Sequence, residues 1–327
     1  FISVRVIGMN NKEYRPTLAQ LRTFVTIAEN KHFGTAAAKL DISQPSLSQA
    51  LVALEQGLDL QLIERSTRKV IVTSAGEELL PFAKAALEAS DAFLARARGT
   101  NGTLSGPLTI GIIPTIAPYI LPTLLQSITD SYPELEPRFV EEQTQHLLTK
   151  LREGSIDLAI TALPTEASGM VEVPLYTESF TAVTPTEHPL AGHQDLTLEQ
   201  LDALDLLLLD DGHCLRDQVL DLCRRAKLNP SEATNAVTRA SSLTTILQLV
   251  MGGLGATLVP ESALATECTH PQLAVARFAP TVAAERQVGL TFRSSAARAE
   301  EFRTFGALVT AAYHAALTRS RELFPVP

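Results

Sequence analysis

The chain changes its hydrophobic period once, and that change constrains its fold more than any other feature. Up to about residue 98, apolar residues recur every three to four positions, as on helices. After the glycine-rich break at 99–107 they come in short runs separated by helical stretches. A 327-residue chain built this way holds two or three domains, helical first and α/β afterwards. No run nears the ~20 apolar residues a bilayer span needs. Residues 1–8 lack the charged, apolar, small order of a secretion signal, Met9 offers a start, and 1–16 read as an N-terminal extension. A cytoplasmic protein without membrane partners is expected, and nothing calls for a metal or cofactor.

Within the helical third, Leu18, Leu21, Val25 and Ala28 form one stripe over 17–28. A short alanine-rich helix follows over 35–40, with Ala36, Ala37 and Ala38 allowing close approach. Asp41 and Ile42 make a tight turn, Ser43 offers an N-cap and Pro45 falls in the first turn of a third helix over 44–56, with Leu47, Leu51 and Leu54 inward. Two short helices across a tight turn read as helix-turn-helix, the second being the recognition helix. Gln44, Pro45, Ser46 and Ser48 then face a major groove, where Gln can read adenine and Ser either base type. Strands at 60–64 and 69–72 make a wing whose basic residues, Arg65 and Arg68, suit phosphates or a narrow minor groove. Residues 9–75 carry eight Lys or Arg against six acids in a chain of net charge −9, so the basic balance is confined to this head. A helix over 75–98, with Leu79, Leu80, Phe82, Leu87, Phe93 and Leu94 apolar and Pro81 inside, is too long to serve the head alone. It reads as a dimerising linker helix.

The remainder alternates. Strands are expected over 108–113, 136–141, 158–162, 180–185, 206–209 and 256–259, with helices to about 132 and over 144–154, 214–226 and 242–252. Ligands in such folds sit at strand ends and between lobes. Here Cys214 opens a helix after the turn 210–213, where the dipole and free N–H groups favour a thiolate. Cys223 lies nine residues on. At ~1.5 Å per residue the two are roughly 14 Å apart and on opposite faces. A disulfide needs Cα atoms within about 7 Å, so bonding them requires the helix to melt. Two buried structural cysteines would satisfy the same spacing. Cys268 lacks any local signature and reads as a bystander.

The run 18–55, with Phe24, Ala36-Ala37-Ala38, Leu40, Ser43-Gln44-Pro45-Ser46-Leu47-Ser48 and Leu54-Glu55, resembles the LysR-type transcriptional regulators. Leu62-Ile63-Glu64-Arg65 and Thr73-Ser74-Ala75-Gly76 continue the likeness, which extends in order to about residue 320. It implies a winged helix-turn-helix over 17–74, a linker helix over 75–98, a hinge over 99–107 and a two-lobed, periplasmic-binding-protein-like α/β effector domain over 108–320. Lobe I would take 108–177 and 278–320, and lobe II 178–277. Within the family, Asp211-Gly212-His213-Cys214-Leu215-Arg216-Asp217 with Cys223, Ile113-Pro114-Thr115 and Glu142-Gln143-Thr144 resemble the peroxide-sensing members.

That likeness implies a homotetramer, a dimer of dimers, on promoter DNA, with RNA polymerase as a further partner. Hydrogen peroxide would oxidise Cys214 and Cys223 would resolve it. Thr115, Thr144, His213 and Asp217 would line the peroxide pocket, with Arg286 stabilising anionic sulfur. Refolding of 210–225 would then shift the dimers on DNA. A LysR-type regulator holding a small organic anion between its lobes, on Thr115, Thr144 and Ser242, is the main alternative. A thiol peroxidase is the other, and the DNA-binding head argues against an enzyme.

Overall fold

A computed structural model describes residues 14–65, 70–97, 104–228 and 234–325, with backbone alone at 65, 88, 92, 95–97 and 234–239. Residues 1–13, the wing residue Arg68, the Arg65 side chain and most of the 99–107 break lie outside the described residues. The chain divides into two compact units, 1–101 and 102–327.

In the first unit, Thr17 and Gln20 exchange side-chain and backbone hydrogen bonds in a capping box that starts α1 (Leu18–Asn30). Phe24, Val25, Ile27 and Ala28 point inward. Leu18, expected on the inward stripe, is 46% exposed, since the helix meets its neighbours only from Leu21 onward. The second helix, α2 (Phe33–Lys39), begins earlier than expected because His32 caps it, its Nδ1 accepting from Thr35 N at 3.1 Å. Ser43 caps α3 (Gln44–Leu58), accepting from Ser46 N at 3.3 Å, and Leu47, Leu51 and Leu54 are fully buried. Strands β1 (Ile63–Arg65) and β2 (Val70–Val72) pair antiparallel as the wing. Glu55 pins the wing to α3 by accepting from the N–H groups of Leu62 and Ile63 at 2.8 and 3.0 Å. The long α4 (Ser74–Ala97) starts on Thr73, which accepts from Gly76 N, and continues through Pro81.

The second unit opens with β3 (Gly106–Ile112), α5 (Ala117–Ser131), β4 (Leu135–Glu141), α6 (Thr144–Arg152), β5 (Leu158–Leu163) and β6 (Met170–Pro185). It continues with β7 (Leu206–Leu209), α7 (Cys214–Arg225), β8 (Thr234–Ala240), α8 (Leu243–Met251), β9 (Thr257–Pro260) and α9 (Leu264–Glu267). Strands β10 (Leu273–Arg277) and β11 (Glu285–Arg293) and helix α10 (Ala299–Leu323) complete it. One sheet runs β10-β6-β11-β5-β3-β4, with β9 also on β6. Only β3 pairs parallel in it, with β4 and β5; the other pairings are antiparallel.

Two apolar cores result. One gathers Leu108, Ile110, Leu147, Val288 and Phe305 around β3, β5, α6 and α10. The other gathers Leu206, Leu215, Leu222, Ile246 and Leu258 around β7, α7, α8 and β9. The long strand β6 serves both: its first part pairs with β11 and its second with β9 and β10. These are the two lobes. The expected strand at 180–185 is thus the end of a sixteen-residue strand. The part before residue 180 escapes a simple apolar count because Glu172 and Glu178 interrupt it.

Candidate functional site

Cys214 is the first residue of α7, and the loop before it is held from several sides. Asp210 N donates to Ala240 O at 2.9 Å, Arg216 Nη1 donates to Leu209 O at 3.1 Å, and Arg216 Nε pairs with Asp211 Oδ1 at 2.9 Å. From the other lobe, Gln143 Nε2 donates to Asp211 O at 3.2 Å. Gly212 has φ +91° and lies so close to Gln143 Oε1 that any Cβ there would collide with it. The result is a pocket too tight for a water-sized sphere, formed by Thr115, Gln143, Thr144, Gly212, His213 and Cys214 among its lining residues.

Thr115 follows β3 and is buried; Ile116, not Thr115, is the N-cap of α5. Thr144 is the first residue of α6, whose N-cap is Gln143. Neither threonine is therefore spent on capping. Thr115 instead accepts from the fully buried Arg286, its Oγ1 from Nη1 at 2.8 Å and its carbonyl from Nη2 at 2.9 Å. The Thr144 hydroxyl is buried without a hydrogen-bond partner among the described residues. It nonetheless stands near enough to the Cys214 sulfur to favour the thiolate.

Burial pushes the Cys214 thiol above its ordinary value, while the Arg286 charge and the Thr144 and Thr115 hydroxyls pull it back and Asp217 pushes it up further. The helix N-terminus alone predicts a favoured thiolate; in this closed pocket desolvation outweighs it. His213 is buried, and desolvation lowers its pKa against the opposing pull of Asp210, so the ring is neutral near pH 7. Asp217 stands apart: it is exposed in the first turn of α7 and does not line the pocket. Cys223 has no exposure and lies in the β7–α7–α8 core, whereas Cys214 packs against the other lobe's core. All three cysteines are free thiols. Cys268 is buried, its thiol pushed up to about 12 by desolvation and by Glu267.

In the head, Gln44, Pro45 and Ser46 are exposed at the start of α3 and Ser48 is half-buried. Ser46 Oγ lies 2.8 Å from Ser43 Oγ.

Comparison with known proteins decides the family. The family described as LysR substrate binding domain matches residues 101–313, and the bacterial regulatory helix-turn-helix protein, lysR family, matches 18–77. The chain belongs to the LysR family of transcriptional regulators. This LysR-family chain is 49% identical over 313 residues to a probable hydrogen peroxide-inducible genes activator of Mycobacterium leprae, covering 94% of this chain and 99% of that one. It is similar to a peroxide-bound cysteine-to-serine mutant of Corynebacterium glutamicum OxyR, at 64% identity and TM-score 0.69, covering 95% of this chain and 97% of that one. Full-length Pseudomonas aeruginosa OxyR, a cysteine-to-aspartate mutant, matches at 33% identity and TM-score 0.76, covering 91% and 95%.

Between the lobes of this LysR-family chain lies a second cavity of about 130 Å³. Its lining includes Tyr119, Glu141, His213, Ser242, Thr244 and Glu267, and no Lys or Arg lines it. Thr115 and Ser242, expected to hold an organic anion, do meet there; Thr144 is not among its lining. Two carboxylates without a cation are a poor receptor for an anion.

The sequence reading missed one buried charge at the site, Glu178. Tyr176, Glu178 and Phe180 are buried in alternation along β6. An acid on an apolar face of period two was the available signal.

Proposed function

We propose that this protein is a hydrogen-peroxide-sensing, DNA-binding transcriptional regulator. The observation that carries the reading is a thiol on a helix N-terminus beside Arg286, Thr115 and the orphaned hydroxyl of Thr144. Relatives named as peroxide-inducible activators, and a peroxide-bound neighbour, support the same chemistry.

The Cys214 thiolate attacks one peroxide oxygen, the O–O bond breaks and hydroxide departs, leaving a sulfenic acid. Thr115 and Thr144 can donate to the peroxide oxygens, and the Arg286 charge stabilises the anion that forms. The Cys223 sulfur then attacks the oxidised sulfur. A disulfide forms, and the sulfenic oxygen leaves as hydroxide and is protonated to water. This second step cannot occur on an intact α7, whose nine-residue separation holds the two Cα atoms roughly 14 Å apart and turns the side chains to opposite faces.

Melting of 210–225 is the proposed signal to the DNA-binding head. Gln44, Pro45, Ser46 and Ser48 would read bases, and Arg65 and Arg68 would hold the backbone. Assembly as a homotetramer, a dimer of dimers on promoter DNA that engages RNA polymerase, is the form we propose. The exposed Phe82, Phe93 and Leu94 on α4, at 70%, 71% and 45%, fit a helix covered by a second copy.

The test is promoter binding with and without stoichiometric peroxide, using the full chain. Peroxide should alter the footprint of the wild type and leave that of Cys214→Ser unchanged. An equal response after Cys214→Ser refutes the reading.

A further inference from the structure

We infer that Glu178 is a positioning residue for the peroxide reaction: it aims Arg286 at Thr115 and so fixes which way the Thr115 hydroxyl hydrogen points. The inference rests on the proposed reaction at Cys214 and goes beyond it.

Glu178 on β6 and Arg286 on β11 are direct cross-strand partners. Both are buried, and Glu178 Oε2 accepts from Arg286 Nε at 2.9 Å and from Nη2 at 2.7 Å. Glu178 Oε1 accepts from the backbone N–H of Ser262 at 3.3 Å and from its hydroxyl. Both carboxylate oxygens are thus committed, and the carboxylate cannot swing. The guanidinium is a rigid fork, so fixing its Nε edge also fixes the Nη1–Nη2 edge that meets Thr115. The Phe180 ring, 6.0 Å from the guanidinium carbon, closes another side.

Arginine only donates hydrogen bonds. A Thr115 Oγ1 that accepts from Nη1 must therefore send its own hydrogen elsewhere. The thiol is on hand to take it: the Thr115 hydroxyl favours the Cys214 thiolate. A donor held ready at the reacting sulfur or at an incoming peroxide oxygen needs no reorganisation when charge develops. Glu178 has a second, opposing effect. Its negative charge offsets part of the Arg286 field at the sulfur.

Both effects reach the pKa, where the Arg286 charge outweighs the Thr115 hydroxyl, but only the aimed hydroxyl acts on the reacting atoms, which gives the test. In the full chain, the pH dependence of Cys214 alkylation gives its pKa, and stopped-flow reaction with hydrogen peroxide gives the limiting rate constant of the thiolate. Glu178→Gln should lower the pKa, because Arg286 is no longer balanced, yet slow the thiolate's limiting reaction by about tenfold. Loosening would also relieve burial and lower the pKa, but it would not slow peroxide alone: in Glu178→Gln the thiolate's limiting alkylation rate, which needs no hydroxyl donor, should stay within about twofold of wild type while its peroxide rate falls. Should Glu178→Gln fail to fold, Ser262→Ala decides: a fall of about threefold in the limiting rate, restored by Ser262→Thr, is expected. An unchanged limiting rate, a fall without the drop in pKa in Glu178→Gln, or no rescue by Ser262→Thr overturns the assignment. If wild-type Cys214 itself fails to react with peroxide, the proposed function falls as well. If the wild type reacts and the variants match it, only the role of Glu178 falls.

Discussion

The two ends of α7 carry the same side chain in opposite surroundings. Cys214 at the N-terminus meets two hydroxyls and a buried guanidinium, and these oppose the desolvation that pushes its thiol up. Cys223 lies wholly inside the apolar β7–α7–α8 core, where burial raises its pKa and only its backbone hydrogen bonding and Arg224 oppose this. In the proposed reaction the first sulfur reacts, while the second starts from a core position with no exposure. An intact helix separates the two thiols, so a disulfide between them would report a change of structure and not merely of oxidation state.

The strongest way to break this contrast is to remove the guanidinium. Arg286→Ala leaves Glu178 charged and buried with only Ser262 as partner. It should destabilise the chain by about 3–5 kcal/mol in urea unfolding and push the Cys214 pKa higher. A loss below about 1 kcal/mol would show that Glu178 is relieved by protonation or water.

Next in size is the storage of Cys223. Leu222 is buried in the same core, and Leu222→Ala should cost about 2–5 kcal/mol. Because it loosens the segment that must melt, it should also speed disulfide formation relative to sulfenic acid formation, as time-resolved mass spectrometry would show. Unchanged partitioning would mean that opening of α7 does not limit the second step.

Titration sharpens the contrast. The thiolate fraction of Cys214 should climb about tenfold per pH unit and continue past its ordinary value of 9.0, read as the rate of iodoacetamide labelling. Folding raises this pKa, so the folded chain holds the proton longer than the unfolded one. The stability this contributes is full below the unfolded pKa and is lost as pH rises through the folded one. A labelling plateau below pH 8 would show that the closed pocket is not the reacting form.

The smallest effect is expected at Cys268, buried among apolar residues at the edge of the same core. Cys268→Ala should cost about 1 kcal/mol and leave the peroxide response intact. A lost response would bring a third sulfur into the account.

Sequence alone made the head legible because each of its signals is local. Ser43 and Pro45 mark a helix start, and Leu47, Leu51 and Leu54 keep one helical face. The position of Cys214 at a helix start was legible for the same reason. The last part of the effector region, after β9, was not. Strand β11 carries Arg286, Gly289 and Arg293 at buried positions, and none of these looks like a central strand until its distant partner is known. Arg293 is satisfied by the carbonyls of Leu151 and Ile156, and Arg286 by Glu178 and Thr115, each more than a hundred residues away in sequence. Local pattern cannot show charge neutralisation at that range. It also hid the net upward push on the Cys214 thiol, which comes from burial between lobes and not from the helix that carries it.

Hydrogen–deuterium exchange over 210–228, before and after one equivalent of peroxide, tests the central claim most directly. Mass spectrometry would establish in the same samples that Cys214 and Cys223 have joined. Amide protection along α7 should collapse as the disulfide forms. A complete disulfide with α7 protection unchanged would contradict that claim.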